Sequence, residues 1–172
     1  MVDLSPRQQQ LLNLLQSQRE ALTGTDLASI CKVTRQVVVH DIAILRAAGH
    51  NILSTPRGYV MASDAAAHRP TRILAVCHPP ELTEAELTTL VDYGIAVRDV
   101  IIEHPLYGEL HGNLHLASRK DVECFIQQVQ ASSAGLLSSL TDGHHLHTIE
   151  YTSESRLTEA IAQLRRLGIE VL

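Results

Sequence analysis

The strongest constraint on the fold is a change of hydrophobic rhythm partway along the chain. Before residue 63, apolar residues recur mainly at helical spacing. After residue 70 they gather in short runs of strand length that alternate with amphipathic segments. Between the two stands Ser63-Asp64-Ala65-Ala66-Ala67-His68-Arg69-Pro70, small, polar and closed by a proline. That composition reads as a linker or a helix end. The 172 residues are therefore expected to form two small domains, 1–66 and 67–172.

Charge divides in nearly the same place. Residues 1–68 hold six Lys/Arg against five Asp/Glu, and residues 69–172 hold eight against fourteen. The net charge of −5 thus belongs to the C-terminal part and does not contradict nucleic-acid binding by the N-terminal part. A nearly neutral N-terminal domain predicts weak binding by one copy and a dimer on a two-fold site. A chain 45% apolar and 19% charged is neither a disordered tail nor a collagen-like repeat. No apolar run reaches membrane-spanning length, so no membrane partner is expected. The N-terminus lacks a basic secretory leader. Three widely spaced cysteines, Cys31, Cys77 and Cys124, point to a reducing, cytoplasmic setting.

In the N-terminal part Ser5 can cap a helix and Pro6 suits its first turn. Leu11, Leu12, Leu14 and Leu15 line one face as far as about Gln18. Thr23-Gly24-Thr25 reads as a break, Asp26–Cys31 as a short helix and Lys32-Val33 as a tight turn. Thr34 can cap a third helix that runs to Ala48 and stops at Gly49. Val38, Ile42 and Leu45 form its buried row. Arg35, Gln36, His40 and Ala43 face the other way, with Arg46 at the edge. This is helix-turn-helix order. Arg pairs with guanine edges or phosphates, Gln with adenine edges, and Ala leaves room for a thymine methyl. His40 reads as a groove or phosphate contact. Residues 51–61 read as two short strands around Pro56-Arg57-Gly58, a wing whose tip, Arg57, can reach a phosphate or the minor groove. The rival reading is a small helical module that binds protein.

The C-terminal part reads as strands over 72–78, 95–103, 109–117, 146–151 and 168–172. Helices fall over 83–93 and 118–130, with a last one beginning at Thr152 or Ser153. The order β-α-β-β-α-β-α-β predicts an α+β sandwich on a ferredoxin-like plan with an extension. Histidines outnumber all aromatic residues, ten against five. His145 and His147, two apart on a strand, share a face about 7 Å apart, and His144 takes the other. Two such imidazoles begin a first-row metal site, and His78 ends the first strand of the same domain. Glu81, Glu84 or Glu86 can add a carboxylate. Thr83-Glu84-Ala85-Glu86 also fits a capping box, in which Glu86 merely bonds back to the Thr83 amide. A solvated strand face is the rival for His145 and His147. His104, before Pro105, lines a pocket or occupies a turn. His111 and His115 fit a wet strand face, and His50 and His68 the surface. There is no Gly-rich phosphate loop, Cys-x-x-Cys, His-Glu-x-x-His or nucleophile elbow.

The run Val33-Thr34-Arg35-Gln36-Val37-Val38-Val39-His40-Asp41-Ile42-Ala43-Ile44-Leu45-Arg46-Ala47-Ala48-Gly49 resembles the second half of the helix-turn-helix of NiaR-type repressors of niacin genes. The C-terminal part resembles their three-histidine effector domain in three stretches. These are Glu103-His104-Pro105-Leu106-Tyr107-Gly108, Ser118-Arg119-Lys120-Asp121-Val122 and Leu140-Thr141-Asp142-Gly143-His144-His145-Leu146-His147-Thr148. The resemblance covers nearly the whole chain. It implies a non-enzymatic, homodimeric repressor of niacin-uptake and NAD-biosynthesis genes, bound to a double-stranded DNA operator. It also implies a divalent transition metal, nickel foremost with zinc or iron as alternatives, on His78, Glu86, His145 and His147. The implied co-repressor is nicotinic acid. A free coordination position accepts a pyridine nitrogen or a carboxylate, and a carboxylate calls for a cation, for which Arg119 is the candidate, with His104 beside it in the effector pocket. Arg119 also reads as an exposed charge in the first turn of a helix. Two other functions fit the residues: a sensor for which metal itself is the signal, and a metal-dependent hydrolase with a DNA-binding domain.

Overall fold

The computed structural model describes residues 4–18, 20–62, 69–132 and 134–172. Residues 63–68 of the expected linker, including His68, lie outside them. The chain divides into two compact units, Met1–Ala67 and His68–Leu172.

The first unit contains α1 (Pro6–Ser17), α2 (Gly24–Cys31), α3 (Arg35–Ala47) and a hairpin of β1 (Ile52–Thr55) and β2 (Gly58–Met61). Ser5 caps α1 through a full capping box with Gln8. The expected break at Thr23-Gly24-Thr25 is instead the start of α2. Thr23 accepts from the Asp26 amide (3.0 Å) and donates to the Asp26 carboxylate (2.6 Å), so capping recruits Gly24 and Thr25 into the first turn. Thr34 caps α3 as expected. Leu11, Leu15, Leu27, Val38, Ile42, Leu45 and Ile52 make the core. Within it lies a fully buried carboxylate, Asp41, which accepts from Arg7 Nε (2.6 Å), Arg7 Nη2 (3.2 Å) and Gln8 Nε2 (3.1 Å). The Arg7 hydrogen bonds hold its pKa below the usual carboxylate range. The charge therefore ties α1 to the middle of α3.

The second unit contains β3 (Thr71–Cys77), α4 (Thr83–Asp92), β4 (Ala96–His104), β5 (Gly108–Leu116), α5 (Arg119–Ala131), β6 (His144–Glu150), α6 (Glu154–Arg166) and β7 (Glu170–Val171). Two short 3-10 turns, Pro80–Leu82 and Leu137–Thr141, precede α4 and β6. The element order is the expected one. Across the antiparallel sheet the strands run β5-β4-β6-β3-β7, so β6 divides β3 from β4, and β5 of the hairpin lies at the edge. Leu74, Val76, Val97, Leu116 and Ile149 pack from the sheet against Leu87 and Leu90 of α4, Val122 of α5 and Leu157 and Leu164 of α6. The register pairs Leu74 with His147 and Val76 with His145. Both histidines consequently face this helical layer from the middle of the sheet. Strand β6 starts two residues earlier than its apolar pattern indicates. Asp142 and Gly143, both at positive φ, deliver the chain to β3 at that point. Among the described residues no helix is long and apolar enough to cross a membrane.

Ile149 is fully buried between the helices and the sheet. Ile149→Ala is expected to lower the unfolding free energy by about 2–5 kcal/mol, measured by urea unfolding of the full chain.

Candidate metal centre and DNA-reading surface

On α4 the buried positions are Thr83, Glu86, Leu87, Leu90 and Val91, one continuous helical face. Glu86 thus stands where a leucine is ordinary, and its carboxylate has no solvent exposure. A charge so placed persists only with close partners. Three imidazoles provide them. His78 Nε2 lies 2.7 Å from Glu86 Oε2, His145 Nε2 3.4 Å from the same oxygen, and His147 Nε2 3.4 Å from Oε1. The His145 ring meets those of His78 and His147 edge-on, at 4.9 and 4.8 Å between centroids. Donor atoms of His78, Glu86 and His145 lie within 4.8 Å of one another.

Backbone carbonyls set the direction of every ring. His78 Nδ1 lies 2.8 Å from Pro79 O, His145 Nδ1 2.8 Å from Gly143 O, and His147 Nδ1 2.6 Å from Asp99 O. A carbonyl only accepts, so each Nδ1 carries the proton and donates it, and each neutral ring turns an Nε2 lone pair toward Glu86. Three lone pairs converging on a carboxylate need positive charge among them, as ring protons or as a cation. Glu86 Oε1 and His147 Nε2 are buried without a hydrogen-bond partner. Three imidazole nitrogens and a carboxylate suit a divalent first-row transition ion, and carbonyl-anchored imidazoles are characteristic of such sites. The residues fit the group.

Two local devices build this arrangement, Gly143 in the stretch that carries the resemblance and Asp99, which the sequence does not single out. Gly143 has φ +88, and an added Cβ would stand 2.3 Å from the His78 carbonyl oxygen. Its own carbonyl accepts from the His78 amide (3.3 Å) as well as from His145. In β4 the pairing with β6 slips between Val97 and Ile101. Asp99, within that slip, turns its carbonyl to His147 and takes the Thr148 amide on its carboxylate (2.9 Å). The sequence signals were a Gly before a His pair and an acidic residue inside an apolar strand.

Burial by itself raises the Glu86 pKa. The charge on a protonated His147 and the close approach of the His145, His147 and His78 rings outweigh it and hold the carboxyl well below its usual range. Burial likewise lowers the His78 and His147 pKa values, but the pull of Glu86 leaves both raised.

Beside the cluster lies a cavity of about 350 Å³, walled by Leu87, Val100, Leu114, Phe125 and Leu137 and floored by Glu86, His145 and His147. No Lys or Arg lines it among the described residues. The capping-box expectation for Glu86 is overturned. The 3-10 turn at Pro80–Leu82 makes Leu82 the cap and Thr83 the first helical residue, with its hydroxyl buried and unpartnered. Glu81 and Glu84 are exposed.

On the first unit, Arg35, Gln36, His40 and Ala43 lie exposed along α3, and Arg57 is exposed at the hairpin tip. A 3H domain model matches residues 71–171 and an HTH domain model residues 7–60. The chain is 44% identical over 166 residues to the transcription repressor NadR of Bacillus subtilis (strain 168), covering 95% of this chain and 92% of that one. It is 38% identical over 162 residues to the probable transcription repressor NiaR of Thermotoga maritima, covering 94% and 91%. The chain belongs to the NadR/NiaR family of transcription repressors.

As a NadR/NiaR-type repressor the chain is a regulator and not an enzyme, which removes the hydrolase alternative. Neither of the two residues expected at an effector pocket lines this cavity. Arg119 forms a two-pronged pair with Asp92 (2.6 Å on each arm), is 70% exposed and does not line the cavity. His104 ends β4 beside the β4–β5 turn, where its Nδ1 accepts the Leu106 amide (3.2 Å) and its ring tilts over Tyr107. It does not line the cavity either. Arg46, expected to contact DNA, is bonded to the hairpin through Ile52 O and Ser54 Oγ (2.8 Å each).

The titrations predict a pH signature for the metal-free repressor. The raised histidines contribute stability that is complete below the ordinary imidazole pKa of about 6.5 and disappears as pH rises through their folded values. The depressed Glu86 contributes above the ordinary carboxylate range and is lost as pH falls. Melting temperature with a chelator present should therefore fall from about pH 6 to about pH 8.5. Added divalent nickel should remove or reverse the fall, because metal competes with the ring protons.

Proposed function

We propose that this repressor acts on niacin-uptake and NAD-biosynthesis genes, with nicotinic acid as co-repressor and a divalent transition metal on His78, Glu86, His145 and His147. Nickel is the leading choice, with zinc or iron as alternatives. The observation that carries the reading is the apolar cavity opening onto a buried N₃O donor set. The apolar walls suit the faces of a pyridine ring. With no basic side chain in the lining, a carboxylate or pyridine nitrogen finds its electrophile at the cluster and not at Arg119. A metal ion held there supplies positive charge and a free coordination position. The chain's own work is to hold three Nε2 atoms in place through Pro79, Gly143 and Asp99, to keep Glu86 ionised, and to exclude water from the ring.

Two copies form the working repressor. The first unit, close to neutral overall, binds an operator well only as a pair. Arg35, Gln36 and His40 read the major groove, and Arg57 at the wing tip meets a phosphate or the minor groove. Nicotinic acid strengthens repression only if it binds the DNA-competent arrangement better than the alternative. A tenfold gain in operator affinity requires about 1.4 kcal/mol of such coupling.

The test uses a duplex selected by the protein from a random pool. Nicotinic acid should raise the affinity of nickel-loaded protein for it about tenfold. His147→Ala should lose that gain and keep the basal affinity. A full response to metal alone, with no further effect of nicotinic acid, would make the protein a metal sensor and overturn the co-repressor reading.

A further inference from the structure

A two-stranded hairpin is marginally stable by itself, yet the wing must hold its tip in a set position if it is to meet DNA. This wing is gripped along both edges. On β2, Tyr59 exchanges two backbone bonds with Leu22 in the connection between α1 and α2: Leu22 N–H to Tyr59 O (2.9 Å) and Tyr59 N–H to Leu22 O (2.8 Å). Gly58 makes that approach possible, since an added Cβ would stand 2.2 Å from the Leu22 oxygen. Tyr59 is the register partner of Ser54. This pair therefore points its backbone groups outward, and so does Ile52, two residues along.

Arg46 occupies the outer edge of β1 at those two residues. From the last turn of α3, its Nε donates to Ile52 O and its Nη2 to Ser54 Oγ, both at 2.8 Å. The planar fork spans alternate residues of one strand, which the single ammonium of a lysine cannot do. It stands in for a third strand and joins the C-terminal end of the recognition helix directly to the wing.

We infer that Arg46 is a positioning residue that locks the wing to α3, so that Arg57 and the exposed face of α3 engage one duplex together. This rests on the reading of Arg57 as a DNA contact, and the test separates the two. The full chain and its pool-selected duplex are used with Arg46→Lys, Arg46→Gln, Ser54→Ala, Arg57→Ala and the Arg46→Lys/Arg57→Ala double variant. Lysine serves a phosphate as a point charge but cannot bridge β1. Arg46→Lys should therefore weaken binding as much as Arg46→Gln does, about tenfold, and Ser54→Ala about threefold. Arg57→Ala should cost about tenfold alone and less than twofold on the Arg46→Lys background, because the tip is already misplaced. Amide exchange of residues 52–61 should accelerate in Arg46→Lys and Ser54→Ala while α1 and α3 stay protected. Wild-type affinity in Arg46→Lys, with loss in Arg46→Gln, would make Arg46 a phosphate contact and overturn the proposal. So would costs for Arg46→Lys and Arg57→Ala that simply multiply. If Arg57→Ala alone has no effect, the wing-contact reading fails instead, and the inference falls with it.

Discussion

A carboxylate with no access to water sits on the core face of α4, and much of the second unit is arranged around it. Glu86 needs positive charge nearby, and the fold answers with three imidazoles whose outer nitrogens are fixed by main-chain carbonyls. Those carbonyls lie at three different places: Pro79 (the second residue after β3), the glycine before β6 and the irregular stretch of β4. The insertion of β6 between β3 and β4 brings them together. An edge position for β6 would separate His147 from the Asp99 carbonyl. The sheet order and the site are thus one construction.

The first unit contains the same problem with a different solution. Asp41 is also a fully buried carboxylate, but its partner is the guanidinium of Arg7, which stays charged at any pH the protein meets. That compensation is permanent and suits a scaffold that presents one reading surface. Imidazoles lose their protons near neutrality and bind transition metals. The compensation at Glu86 therefore changes with what is bound there. One unit carries a fixed ion pair and the other a carboxylate among titratable, metal-competent imidazoles.

Most of the architecture was legible in the sequence because caps and periodicity are local. Ser5 and Thr34 cap helices where expected, Ser118 caps the helix expected to begin there, and Ser153, one of two expected starts, caps α6, and the alternation at 145 and 147 places both rings on one face. One miss is local: Thr23 is a cap and not a breaker, because it pairs with Asp26 three residues on. The others are non-local. Arg119 looked available to an effector because its partner, Asp92, is twenty-seven residues away. Arg46 shows the same limit, since helical spacing places a side chain on a surface but does not tell what that surface meets. Helical spacing does not separate Glu86 from Glu84, because Glu84 stands three residues before Leu87 and seven before Val91 while Glu86 stands four before Leu90. A charged residue on an otherwise apolar face marks a partner, and the resemblance to a known family supplies the choice that periodicity leaves open.

The central claim is that Glu86 and the three histidines form a metal centre and not a proton-shared structural cluster. Calorimetric titration of nickel into untagged, metal-free protein tests it directly, run in two buffers of different ionisation enthalpy so that proton release is counted. The account predicts one ion per chain, bound with release of protons from the imidazoles, and an affinity at least tenfold lower for Glu86→Gln. Absence of saturable binding, or equal affinity in wild type, Glu86→Gln and His147→Ala, would contradict it.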